Sequence, residues 1–253
     1  MRRARVYTDQ PLAAAHSAQL LVRLEAMGSA HLIKVLRMRA GAKVTLFNGD
    51  GFDYTAEITT PKPEAAELRV IKQSPNTSES SLKITLIQAL CRGEKMDWVI
   101  EKATELGVHR IIPVQTERTE VQLDTERALK RLQHWQRVVI SACEQCGRAR
   151  IPEVLPLNAL DAQLAANSKA DVAWALEPAA PALGLMLAKI REPINLCDIQ
   201  IAIGPEGGFS ERDLAQLSAA NFSLISLGSR ILRTETAGIV ALAILQHRWG
   251  DLK

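Results

Sequence analysis

"IAIGPEGGFSERD", residues Ile201–Asp213, changes character in its middle. Ile201–Ile203 is apolar and strand-like. Gly204-Pro205-Glu206-Gly207-Gly208 cannot continue a strand, and Ser210 with Asp213 three residues on is a capping-box start for a helix. A strand that ends in a glycine loop and turns straight into a helix is the repeating unit of an α/β fold. The free N–H groups of the helix start point back at the loop, and glycines let a ligand lie against backbone. Two phosphate-binding readings fail on residues. A P-loop requires a Lys, which this loop lacks, and a dinucleotide fingerprint requires GxGxxG in the first strand-turn-helix unit. Glu206 would repel a polyphosphate and better suits hydroxyls, amino groups or a cationic ligand. A tight turn with no ligand is the other reading of an isolated Gly-Gly.

"SLGSRILRTETAG", Ser226–Gly238, repeats the construction. An apolar strand ends at Leu227-Gly228, a short loop follows, and a helix begins near Thr234. Neighbouring parallel strands are expected to bring both loops to the carboxyl edge of one sheet, where open α/β folds bind ligands. Arg230 and Arg233 flank the second loop and Glu235 sits in the first turn of the helix. Surface ion pairing for the arginines, and a favourable helix-dipole charge for Glu235, are the competing assignments.

Outward from these loops, residues 82–253 alternate apolar strands with helices. "LKITLIQAL" is a strand, "GEKMDWVIEKATELG" an amphipathic helix with Gly107 as its stop, and "RIIPV" a strand whose Pro113 favours an edge or a bulge. A long basic helix covers roughly 124–146, "ADVAWALEP" is a further strand, and the last helix runs from about Thr234 to Trp249. Continuous apolar strands imply a mostly parallel sheet covered on both faces. Residues 1–72 read differently: short alternating strands, one short helix in "AHLIKVLRM", and a hairpin around Asn48-Gly49-Asp50-Gly51. The expectation is a small β-barrel-like domain over 1–72, a polar linker over 73–81 ("QSPNTSESS") and an α/β domain over 82–253.

The net charge of +3 is unevenly placed: residues 1–72 carry +4 and the remainder −1. Arg2, Arg3, Arg5, Lys34, Arg37 and Arg39 cluster there. A basic face suits a polyanion such as RNA, and a solvated surface explains the charge as well. Cys91, Cys143, Cys146 and Cys197 are scattered, unlike a disulfide framework, and the lone C-E-Q-C has no second pair to complete a zinc site. No metal is expected. The start has no signal-peptide h-region and no apolar run is long enough for a bilayer, so a cytoplasmic protein with no membrane partner is expected.

"IGPEGGFS" followed by "LGSRILRTETA" resembles the hallmark pair of the ribosomal RNA small subunit methyltransferase E family, within the SPOUT superfamily. "HLIKVLRMRAGAKVTLFNGDG" is similar to its N-terminal PUA-like domain. "EKATELGVHRIIPVQTERT" and "EQCGRARIPEV" resemble its middle motifs, with Cys146 standing where many relatives carry a small polar residue. The resemblance spans nearly the whole chain in order.

That resemblance implies a C-terminal α/β domain with a deep trefoil knot, and S-adenosylmethionine bound by the knot loops. Carried over, Ile203, Gly204, Pro205, Glu206, Gly207 and Gly208 form one wall, and Leu227, Gly228, Ile231 and Leu232 the other, with Leu176 and Glu177 at the same edge. It further implies N3-methylation of one uridine in 16S rRNA of the small ribosomal subunit, by a homodimer in which "AGIVALAILQHRW" builds an interface or is simply buried. Another SPOUT-type RNA methyltransferase and a non-catalytic rRNA assembly factor are the alternatives. Uracil N3 carries a proton near neutral pH, so the site must stabilise an anion. Arg233 or Arg148 is the expected stabiliser, with Glu235 positioning the Arg or accepting the proton. A phosphate contact is the alternative for Arg148. Arg2, Arg3, Arg5, Lys34, Arg37 and Arg39 are the expected RNA contacts.

Overall fold

The apolar run Leu82–Leu90 supplies the central strand of a parallel sheet, and the elements around it follow the alternation read from the sequence. The computed structural model describes residues 3–12, 20–166, 170–189 and 198–252. The chain divides into two compact units. The first comprises Met1–Glu79 and Ile140–Ile151, the second Ser80–Val139 and Pro152–Lys253.

In the first unit, strands β1 (Arg5–Tyr7), β2 (Leu21–Arg23), β3 (Lys43–Phe47), β4 (Phe52–Thr60) and β5 (Glu67–Pro75) form one sheet in the order β1-β3-β4-β5-β2. The hairpin between β3 and β4 turns on Gly49 and Gly51, at φ 93° and 92°, conformations that favour glycine. Helix α1 (Ala26–Ala30) runs into a π-helical turn, His31–Val35, and Leu32 plugs the core beside Val6, Leu46, Ile58 and Leu68. Strand β5 continues through Gln73, Ser74 and Pro75, which pair with Tyr54, Asp53 and Phe52. The polar stretch expected to be linker from residue 73 is thus strand at its beginning, because a ladder with β4 on one side alone can hold polar residues. The segment 140–151, expected to belong wholly to the α/β domain, instead completes this unit.

The second unit has helices on both faces of a parallel sheet, β6 (Lys83–Ala89), β7 (Arg110–Gln115), β8 (Glu153–Val154), β10 (Val172–Leu176), β11 (Asp198–Ile203) and β12 (Ser223–Ile225), in the order β12-β10-β11-β6-β7-β8, with β9 (Asn158–Ala159) also on β7. Its helices are α2 (Lys95–Glu105), α3 (Thr125–Cys146) as far as Val139, α4 (Leu160–Ala166), α5 (Leu183–Lys189), α6 (Glu211–Ala219) and α7 (Thr234–Trp249). Ile87, Ala89, Ile112, Val114, Ala175 and Ala202 face Leu160, Phe209 and Leu217 on one side. On the other, α7 lies close to the sheet at Gly238, where an added Cβ would stand 3.4 Å from Leu86 and 3.5 Å from Ile203. Each such fully buried Leu or Ile contributes about 1.5–3 kcal/mol relative to exposure.

Two expectations change. Pro113 lies in an interior strand, not at an edge. Ile111 accepts a backbone bond from Leu155, so the odd-numbered residues of β7 turn toward β8 and β9. Those strands pair with 110–111 and 114–115 respectively, and Pro113 falls in the gap between them, where no donor is required. The strands before the two glycine loops are also not neighbours: β10 lies between β11 and β12.

Candidate functional site

Parallel strands β10, β11 and β12 end at one edge, so Leu176-Glu177 comes to lie between the two glycine loops. The first loop, after β11, is rigid for identifiable reasons. Gly208 adopts φ 69° and its N–H closes a turn on Pro205 O at 2.9 Å. Ser210 Oγ accepts from Asp213 N at 3.0 Å and Asp213 Oδ2 accepts from Ser210 N at 2.9 Å, a complete capping box on α6. An Arg118 guanidinium N–H donates to Gly207 O and Phe209 O at 3.1 and 3.2 Å. A Cβ on Gly204 would stand 3.1 Å from the Phe209 backbone N, so this residue is small by necessity.

The second loop, after β12, is more open. Gly228 adopts φ 101° and the Ile231 side chain is 83% exposed. Arg233 is the N-cap of α7 and makes no capping bond through its side chain. The loops are joined underneath. Buried Gln88 donates to Thr234 Oγ1 at 3.1 Å, and the Thr234 hydroxyl donates to Gly204 O at 2.6 Å.

Between the loops is a cavity of about 660 Å³. Leu176, Glu177, Ile203, Gly204, Pro205, Glu206, Gly207, Gly208, Leu227, Gly228, Ile231 and Leu232 all line it, and so does Arg233. Glu235 lies behind the wall, its Oε2 3.4 Å from Lys95 Nζ. Lys95 also reaches Glu206 Oε1 at 3.2 Å, and the Arg92 backbone N–H donates to the same oxygen at 3.2 Å. Burial pushes the Glu206 carboxyl up, but the N–H groups of Glu206 and Arg92 and the Lys95 ammonium outweigh it and hold the group below the ordinary value. Lys95 is held above its ordinary value, chiefly by the bond to Glu206. The Glu206 contribution to stability is therefore present at neutral pH and lost as pH falls through its folded value. That of Lys95 is complete below its unfolded value and lost as pH rises through the folded one.

Lys95, Arg118, Thr234 and Gln88 were not among the expected site residues. Arg118 follows β7 by three residues, and the carboxyl-edge rule extended to that strand reaches it. Lys95 opens a helix and carries no local signal.

Two expected residues are committed elsewhere. Arg148 belongs to the first unit, is 5% exposed, and holds Glu79 at 2.8 Å. It is not among the cavity residues. Arg5 holds Asp53 at 2.9 Å, donates to Arg148 O at 3.0 Å and lies 4.9 Å over the Phe47 ring, so it is not a surface cation. Such pairs occur where desolvated charge needs a partner. Arg3, Lys34, Arg37 and Arg39 are exposed, and Arg37 sits at φ 53° after the π-turn. Arg2 lies outside the described residues, as does Cys197. Cys91 and Cys143 are buried thiols, each pushed up to about 12 by desolvation. Among the described residues no group of three or more His, Cys, Asp and Glu is placed to hold a metal ion, and no helix is long and apolar enough to cross a membrane.

The chain matches an RNA methyltransferase domain over residues 78–246 and an RNA methyltransferase PUA domain over residues 29–71. It is 34% identical over 222 residues to the ribosomal RNA small subunit methyltransferase E of Buchnera aphidicola, covering 88% of each chain. A Legionella pneumophila protein solved with the bound cofactor SAM aligns at TM-score 0.89 and 38% identity, covering 99% of this chain and 100% of that one. The ribosomal RNA small subunit methyltransferase E of Neisseria gonorrhoeae, solved with S-adenosyl methionine, aligns at TM-score 0.88 and 38% identity over 100% of both chains.

Proposed function

Because this chain belongs to the ribosomal RNA small subunit methyltransferase E family, we propose that it is an S-adenosylmethionine-dependent enzyme that methylates N3 of one uridine in 16S rRNA. The observation that carries the reading is the single cavity enclosed by both glycine loops and the end of β10. Its residues fit the cofactor. Gly208 and Gly228 leave open space where a Cβ would stand. Leu176, Ile203, Leu227 and Leu232 offer an apolar slot for a purine, and Glu177 and Glu206 offer acceptors for hydroxyl or cationic groups. When bound, S-adenosylmethionine supplies an electrophilic methyl group carried on a sulfonium.

The protein's own task is to present uracil N3 without its proton. Arg233 stabilises the negative charge that spreads to the base oxygens once that proton leaves. The Lys95–Glu235 ion pair supports a positioning role for Glu235. The C-terminal unit is read as a SPOUT-type fold with a trefoil knot, supported by the convergence of three parallel strand ends and the start of α7 on one cavity. A homodimer in the cytoplasm completes the proposal. Helix α7 buries Ala241, Leu242 and Leu245 while Ile239, Val240 and Ile244 stay partly exposed, which supports a partner on its outer side.

The first unit is the proposed RNA-binding module, through Arg3, Lys34, Arg37 and Arg39. Neutralising Lys34, Arg37 and Arg39 together should weaken rRNA binding and flatten the slope of log K against log salt by about two to three. An unchanged slope removes that surface from the footprint. For the function itself, transfer of labelled methyl groups to small-subunit particles or naked 16S rRNA should yield one N3-methyluridine. Label on a carbon or a ribose, or no transfer to either substrate, overturns it.

A further inference from the structure

Lys95 is the cation of an unusual arrangement at the cavity wall. One ammonium, about 35% exposed, lies 3.2 Å from Glu206 and 3.4 Å from Glu235. Glu206 belongs to the first glycine loop and Glu235 to the helix that follows the second, so Lys95 touches both halves of the site from a third element, α2. The other charged groups nearby do not duplicate it. Arg92 gives Glu206 its backbone N–H while its side chain pairs with Glu120, and Arg118 spends its guanidinium on loop carbonyls. Cys91, underneath, is a protonated thiol. Around the cavity, Lys95, Arg118, Arg230 and Arg233 stand against Glu177, Glu206 and Glu211, with Glu235 behind the wall. Charge is therefore balanced with Lys95 present and net negative without it.

The proposed reaction changes one charge in this cavity. S-adenosylmethionine carries a sulfonium, while the demethylated product, S-adenosylhomocysteine, carries a neutral thioether of nearly the same shape. Two bare carboxylates beside the cavity would favour the cation over the product. Tight holding of the sulfonium in the ground state would also oppose a reaction in which that charge disappears. We propose that Lys95 sets the discrimination between cofactor and product by neutralising Glu206 and Glu235, so that the cavity grips the adenosine and amino-acid parts without over-stabilising the sulfonium. The proposal rests on reading the cavity as a cofactor site. It makes Lys95 a positioning and charge-setting residue.

The test needs no methyl transfer. Calorimetry on the full chain gives Kd for S-adenosylmethionine and S-adenosylhomocysteine, and their ratio is the readout. In Lys95→Met the preference for the cation should rise by about three- to tenfold, the size expected of one charge near a partly solvated site, and should shrink in high salt. Lys95→Arg should return the wild-type ratio. Glu206→Gln, which removes a carboxylate and leaves Lys95 in place, should move the ratio the other way and serves if Lys95→Met does not fold. Unchanged ratios in variants that still bind overturn this inference alone. A wild-type protein that takes up neither ligand overturns the cofactor reading with it.

Discussion

Arg233→Ala is expected to lower kcat for methyl transfer by about 10²–10³-fold, the usual cost of removing one preorganised charge from a site where an anion develops. Affinity for S-adenosylmethionine should stay within about threefold of wild type. The structure separates these effects. Arg233 lines the cavity, yet its side chain makes no hydrogen bond or ion pair among the described contacts. Its backbone, not its side chain, serves the fold: the carbonyl accepts from Thr236 and Ala237 at 2.9 Å, starting α7. Alanine keeps that carbonyl, and no side-chain cap is lost, so stability should change by less than about 0.5 kcal/mol. The helix start adds its own partial positive charge at the same place, which is why some activity should remain. Single-turnover methylation at saturating cofactor, set beside calorimetry, measures both quantities. Near-normal turnover would remove Arg233 from the chemistry and leave Arg230 as the next exposed cation on that loop.

The two loops were legible because their signals are local. Strand, glycine and helix cap follow one another within thirteen residues at Ile201–Asp213, and the strand end, the turn at Gly208 and the Ser210–Asp213 box lie at those positions. What joins the loops was not legible, because it is contributed from far along the chain. Gln88 lies 146 residues from Thr234, and Lys95 is 111 residues from Glu206. Strand order was also out of reach: two similar loops suggested two adjacent strands, whereas β10 intervenes and thereby delivers Leu176 and Glu177. The pairings of two arginines were out of reach for one reason. Arg5 was expected to contact RNA and Arg148 to hold an anion or a phosphate, and the burial of each depends on a partner, Asp53 or Glu79, that sequence does not pair with it. The gap that accommodates Pro113 was out of reach for a related reason, since a break in the neighbouring strand is a property of the sheet.

Gly228→Val should cost between about fivefold and about a hundredfold in S-adenosylmethionine affinity, while the melting temperature moves by only a few degrees. A Cβ at this position would meet no atom within 4 Å, so steric collision with the protein is not the cause. The backbone is. At φ 101° a β-branched residue is outside its allowed regions, and holding it there costs about 1–3 kcal/mol. That strain can be released in two ways, by unfolding the unit or by moving the loop. The loop gives way more easily, because its residues 228–231 are exposed and the core elements beneath it, β12 and α7, are anchored independently. A moved loop carries Leu227, Ile231 and Leu232 out of the cavity wall, so the strain reappears as lost affinity, at about tenfold per 1.4 kcal/mol. Gly228→Ala, less restricted at χ1 but equally strained in φ, should fall between valine and wild type. Calorimetry on both variants, with thermal melts alongside, tests this order. Wild-type affinity in Gly228→Val would mean that the second loop is not a wall of the cofactor site, and the proposed pairing of the two glycine loops would fail with it.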